Sequence, residues 1–279
     1  MYEISCNVRF SETDRSGVMS MNGLLRLFQD VGYAHALERG FGLEFTKRTR
    51  CTWYLLSWQI EAFCMPAAGE HITLRTCIYD MRASLAHKSI AMYDSDGNCL
   101  ALGDTMWVYV NVDRQEPAEP GQDTASGWKE EDFGDRIAAP QGISAAGASV
   151  SRRIRVPADA QRLADCTAEP YILDTNGHAN NVRLTELAMR LAGADNGNCV
   201  RLRAEFKEQV KAQSVICPII KKDTLHVKTG IADAGTVLDD NDAEDISVST
   251  VAFKDTLGQV MAVFEFTQGQ NKKSNLNRQ

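Results

Sequence analysis

The sequence has no long apolar run, no block of basic residues and no clustered cysteines, and each lack removes a class of protein. No window reaches eighteen continuous apolar residues, and the N-terminal MYEISCNVRFSETD lacks a basic stretch followed by an apolar one. Neither a membrane span nor a secretory signal is therefore read, and the expected location is the cytoplasm. The net charge is −7, with no run of five basic residues, which speaks against a nucleic-acid binder held by phosphate neutralisation. The eight cysteines stand singly, without a CxxC pair or a neighbouring histidine, so neither a metal site nor any other cofactor is expected. Proline is sparse as well. Three of the seven prolines fall in Val112–Ser149, a stretch rich in Gly, Ser and Ala that reads as a linker.

With 279 residues, 44% of them hydrophobic, the chain is long enough for two units with cores of their own. The expected division is an N-terminal unit over 1–125, a linker over 126–149, a C-terminal unit over 150–268 and a disordered tail over 269–279. The two units answer each other. Asp14 and Gly17 reappear as Asp174 and Gly177, and Leu24 and Leu27 as Leu184 and Leu187, at a constant offset of 160. In the first unit Leu24, Leu27, Phe28, Val31 and Ala34 follow helical spacing until Gly40. Each unit then continues in strand-like runs and closes with a hairpin, its turn at Asp96-Gly97 or Leu257-Gly258. One helix per antiparallel sheet predicts an α+β unit whose curved sheet wraps the helix, with the two sheets pairing edge to edge.

The densest polar stretch is YILDTNGHANN, Tyr171 to Asn181, just before the helical pattern VRLTELAMRL. Asn180 or Asn181 serves as a helix cap, with Asp174 and Gly177 forming the preceding turn. Capping does not explain His178, nor the alternation of Asp174, Asn176 and His178, which on extended or turn-like chain would project towards one side. These groups supply the parts of general acid–base catalysis. Asp174 can act as general base or as a carboxylate nucleophile, His178 can orient water or shuttle a proton, and Asn176 can hold the water or the carbonyl. Gly177 permits close backbone approach beside amide hydrogens at the helix mouth, an oxyanion site. The first unit has Ser16 and Val18 where Asn176 and His178 stand, so Asp14 alone cannot run the same chemistry.

The chain resembles the acyl-acyl carrier protein (acyl-ACP) thioesterases of plant plastids and bacteria, roughly from Met1 to Gln268. The resemblance rests on Val8-Arg9-Phe10 with Thr13-Asp14 and Gly17, on the strand from Trp53 to Glu61, and above all on Asp174, Asn176, His178, Asn180 and Asn181. It implies a tandem double hot-dog fold, catalysis by Asp174, Asn176 and His178, and hydrolysis of fatty acyl-ACP to free fatty acid. The family's glutamate on the strand after the helix falls on Gln209, and Val210 stands where the plant enzymes often have cysteine. Glu208 is one residue away, on the opposite face unless a bulge intervenes. The resemblance also implies an acyl tunnel in the N-terminal unit, with Leu25, Phe28, Trp53, Leu55 and Trp58 as candidates to line it.

An acyl carrier protein is acidic, and Arg201, Arg203, Lys207 and Lys211 recur at even spacing as a candidate docking face. An acyl-CoA thioesterase, an enoyl-thioester hydratase and a catalytically silent acyl-binding protein remain alternatives. The hydratase loop spaces its Asp and His by five residues, against four here. A duplicated unit can replace the usual dimer within one chain, and whether the chain also forms a homodimer stays open.

Overall fold

The computed structural model describes residues 1–121, 127–140, 153–194, 199–228 and 243–269. The main strands form one antiparallel sheet in the order β1-β3-β4-β5-β2-β9-β12-β11-β10-β7. The first unit contributes β1 (Tyr2–Asn7), β2 (Cys51–Ala62), β3 (His71–Arg82), β4 (Leu85–Tyr93), β5 (Cys99–Asn111) and the short β6 (Glu116–Pro117). The second contributes the short β7 (Gln161–Arg162) and β8 (Cys166–Thr167), then β9 (Cys199–Phe206), β10 (Val215–Lys228), β11 (Ala243–Lys254) and β12 (Val260–Gln268). The units join edge to edge through β2 and β9, from Ser57↔Glu205 to Glu61↔Arg201. Neither unit is left with an open edge at the centre, as its pattern predicted.

Helix α1 (Met21–Glu38) starts where the Ser20 hydroxyl accepts the Gly23 N–H, and it buries Leu24, Leu27, Phe28 and Val31 against the sheet. Its counterpart α3 (Asn181–Ala192) starts at the same offset of 160. Asn180 caps it, and Gly193, at φ +69°, ends it. Where the two helices meet, Arg26 donates to Glu186, residues related by that same offset, which places them at the pseudo-twofold axis. In a symmetric dimer of one unit such a position would meet its own copy; duplication allowed complementary charges there.

The units differ in how they fill their interiors. The second packs Phe206, Phe253, Phe264 and Phe266 into a closed core, with Phe253 and Phe264 rings 5.1 Å apart. The first adds α2 (Leu43–Thr49), which has no counterpart among the described residues of the second, and leaves a hollow beneath α1 and α2.

The expected linker is corrected over its described part. Trp128 and Asp132 are buried, the Gly134 N–H donates to the Ile78 carbonyl, and Arg136 donates to Asp104. Residues 127–137 thus complete the N-terminal unit. Residue 126, residues 141–149 and the expected tail from 270 onward lie outside the described residues.

Candidate active site

Asp174 to His178 form a closed turn, the one expected of Asp174 and Gly177, rather than extended chain. The Asp174 N–H donates to the His178 carbonyl at 2.7 Å, Gly177 N–H to the Asp174 carbonyl at 3.1 Å, and Gly177 takes φ +77°. Asp174 Oδ1 accepts the N–H groups of Asn176 at 2.7 Å and His178 at 3.3 Å. The carboxylate is held by its own turn through one oxygen, and Oδ2 makes no hydrogen bond among the described residues.

The turn is pinned by the chain beyond β9. Lys207 and Glu208 both donate to the Met261 carbonyl, a bulge, after which Val210 accepts the Ala179 N–H and Lys211 bridges to His178. The bulge decides which of the two side chains turns inward. Glu208 is exposed and accepts from Gln259, whereas Gln209 is half-buried with its Oε1 enclosed. Val210 is buried.

A residue from the other unit, which sequence reasoning missed, completes the cluster. The Tyr54 ring on β2 stands edge-on to His178, centroids 6.1 Å apart. The Tyr54 hydroxyl lies beside the Gln209 side chain, but the hydroxyl and Gln209 Oε1 are both buried without a partner at hydrogen-bonding geometry. Tyr54 sits inside the strand pattern WYLLSW, and only the pairing of the units reveals its place beside His178. Burial lowers the His178 pKa below the ordinary imidazole value, Asp174 opposing and Lys211 adding to the shift, so the ring is neutral at pH 7.

Asp174, Thr175, Asn176, Asn180 and Asn181 wall one end of the hollow in the N-terminal unit, a cavity of about 350 Å³. Of the expected acyl-pocket residues, Phe28, Trp53, Leu55 and Trp58 line it. Leu25 does not; it is fully buried in the general core. All four tryptophans of the chain lie on the wall. The cavity has the volume of a ligand site. The pseudo-symmetric position holds only about 10 Å³, walled by Met19, Met21, Met65 and Met189 among others.

The backbone donors differ from expectation. Gly177 N–H is spent inside the turn, and Asn180 Oδ1 takes the Val182 and Arg183 N–H groups. The amides of Thr175 and Asn181, both on the cavity wall, carry no acceptor among the described residues.

The expected docking face is corrected at two positions. Arg203 is buried and pairs with Glu265 at 2.7 Å, and Arg201 pairs with Glu61 at 3.5 Å. These are cross-strand pairs at the centre of the sheet. Lys207 pairs with Glu205 at 3.2 Å, and Lys211 is exposed beside His178.

Residues 1–126 match the family model for the acyl-ACP thioesterase N-terminal domain. The fold is similar to the crystal structure of an acyl-ACP thioesterase from Bacteroides thetaiotaomicron, at 18% identity and TM-score 0.71, covering 95% of this chain and 96% of that one. It is also similar to the 12:0-ACP thioesterase from Umbellularia californica, at 13% identity and TM-score 0.74, covering 96% of this chain and 93% of that one. No curated protein matches the chain in sequence. At these identities the structural likeness establishes the architecture, a double hot-dog.

Proposed function

We propose that this chain, whose residues 1–126 match the acyl-ACP thioesterase N-terminal domain, hydrolyses fatty acyl thioesters on acyl carrier protein to free fatty acid and the free carrier thiol. The observation that carries the reading is the cavity, hollowed in one unit and closed at one end by the Asp174–Asn181 turn of the other. The acyl chain lies along Phe28, Trp53, Leu55 and Trp58, which brings the thioester carbonyl to the turn.

Asp174, through Oδ2, takes a proton from water as the water oxygen bonds to the carbonyl carbon. Neutral His178 orients that water or relays its proton, and Asn176 holds it in line. Gln209 can hydrogen-bond water but cannot accept a proton, so proton transfer falls to Asp174 and His178. The Thr175 and Asn181 amides face the developing oxyanion; each such donor is worth roughly 10²–10³-fold. The C–S bond then breaks and the thiol leaves with the proton. No thiol stands at Val210, so a cysteine nucleophile there has no part in the reaction.

The carrier is acidic, and exposed Lys211 beside the site is the basic residue best placed to meet it. The reading places the enzyme in the cytoplasm, where acyl-ACP is made. Release of free fatty acid from matched acyl-ACP and acyl-CoA panels tests it. Faster release from the carrier protein supports the proposal. Equal or faster release from CoA overturns the carrier, and binding without release leaves a silent acyl-binding protein.

A further inference from the structure

The cavity wall carries more hydrogen-bond donors than a hydrocarbon chain can use. Lys88, on β4, is 6% exposed and lines the cavity. Its row across the sheet runs Ile78–Lys88–Thr105–Trp58, so it shares the inward face with known wall residues. Its ammonium has three donors and one acceptor, His35 Nδ1 at 3.2 Å, and it lies 5.5 Å from the centre of the Trp128 ring. Among the described residues no carboxylate comes within ion-pairing distance of Lys88. Asp132 is already taken by His35 Nε2 at 2.9 Å, by Arg39 at 2.7 and 2.8 Å and by the Lys129 N–H at 2.8 Å. This network assigns the His35 proton to Nε2 and leaves Nδ1 as an acceptor. Burial in turn brings the His35 pKa down to about 4, with Lys88 adding to the shift, so the imidazole is neutral.

The tryptophans repeat the pattern. The indole N–H groups of Trp53, Trp58 and Trp128 are buried without a partner, and only that of Trp107 finds one, Thr105 Oγ1 at 2.9 Å. Buried indole and ammonium donors are costly when unpaired, and a leucine or methionine at position 88 would serve a plain hydrocarbon at no such cost. From the strand spacing and rise, Lys88 lies roughly 15 Å from Tyr54, far from the reacting carbonyl.

We propose that the acyl chain held in this cavity bears an oxygen acceptor, a hydroxyl, oxo or carboxylate group, on its distal part, and that Lys88 is the residue that selects for it. The inference rests on the reading of the cavity as the acyl site of a thioesterase and narrows its substrate class. A neutral imidazole behind the ammonium leaves two of its protons free for the incoming oxygen. The partnerless indoles around it offer further donors to the same group.

The test is a ladder of acyl-ACP thioesters of increasing length, each as the unsubstituted, ω-hydroxy and ω-carboxy form, assayed with the wild-type chain and Lys88→Met. At the length that reaches Lys88, the wild type is expected to favour an oxygenated form at least tenfold in kcat/KM, and Lys88→Met to favour the unsubstituted one. Whether the hydroxy or the carboxy form gains more identifies the acceptor. A wild-type preference for unsubstituted chains at every length, or an oxygen preference that survives Lys88→Met, overturns the proposal. No release from any thioester would instead mark failure of the thioesterase reading itself. If Lys88→Met does not fold, tryptophan fluorescence of the unaltered protein decides. Free ω-hydroxy or ω-carboxy acids are expected to bind at least tenfold tighter than the unsubstituted acid, and equal binding contradicts the proposal.

Discussion

Asp174 opens a turn that is built four times among the described residues. Asp14, Asp94 and Asp255 likewise accept backbone N–H groups on Oδ1, and each is followed three residues on by a glycine of positive φ, Gly17, Gly97 and Gly258. The recurrence of Asp-x-x-Gly is visible in the sequence, and it means that the aspartate alone marks a turn. What sets the third copy apart is its surroundings: a cavity behind it, His178 in place of Val18, and Tyr54 across from it. Asparagine can accept the same N–H groups, so Asp174→Asn is expected to change stability by less than about 1 kcal/mol while lowering hydrolysis roughly 10²–10⁴-fold. Asp14→Asn, the same change in the other unit, is expected to leave hydrolysis intact; stopped assays with thermal melts check both. The acid limb of activity is expected below the ordinary imidazole pKa, because burial and Lys211 both disfavour the charged His178 ring. Lys211→Met removes one of these causes, and a pH–rate profile is expected to show that limb moving upward.

At the level of elements, the helices, the hairpins and the edge-to-edge joining of the sheets were legible, because apolar spacing and turn glycines report them directly. Leu24, Leu27, Phe28 and Val31 face the core as their spacing required. Three features were not legible. The segment 127–140 has a linker's composition, yet it is anchored by Trp128 and Asp132 against residues nearly a hundred positions earlier. Arg201 and Arg203 have the spacing of an exposed basic face, but the strands paired on either side supply Glu61 and Glu265. Leu25 shares a helix and a core cluster with Phe28 but does not reach the cavity wall. In the first two cases a partner distant in sequence decides the outcome.

Two variants probe the elements. A Cβ on Gly103 would come within 2.9 Å of the Phe28 ring, so Gly103→Ala is expected to push that ring towards the cavity. Release of the longest acyl chains should fall, at a stability cost of about 1–3 kcal/mol. Arg26→Glu sets two carboxylates against each other where the helices meet and is expected to cost roughly 1 kcal/mol. Adding Glu186→Arg should restore the melting temperature.

For the whole molecule, the N-terminal unit keeps a cavity where the other unit is closely packed, and the buried group of His35, Asp132, Arg39 and Lys88 ties its late segment to α1 and β4. That group sets the response to acid. His35 titrates at about 4 when folded and near 6.5 when unfolded, so the unfolded chain binds more protons between these values. The His35 contribution is therefore expected to be full above pH 6.5 and to fall by about 3 kcal/mol as pH drops towards 4. Denaturant titrations should show this slope and its loss in His35→Gln.

The central claim is that one unit holds the chain while the other cleaves it. It is tested most directly by a crystal structure of Asp174→Asn bound to a non-hydrolysable acyl-pantetheine analogue. Acyl density is expected to run past Trp53, Leu55 and Trp58, with the carbonyl beside Thr175, Asn176 and Asn181. An acyl chain lodged elsewhere, or a carbonyl turned away from that turn, would contradict it.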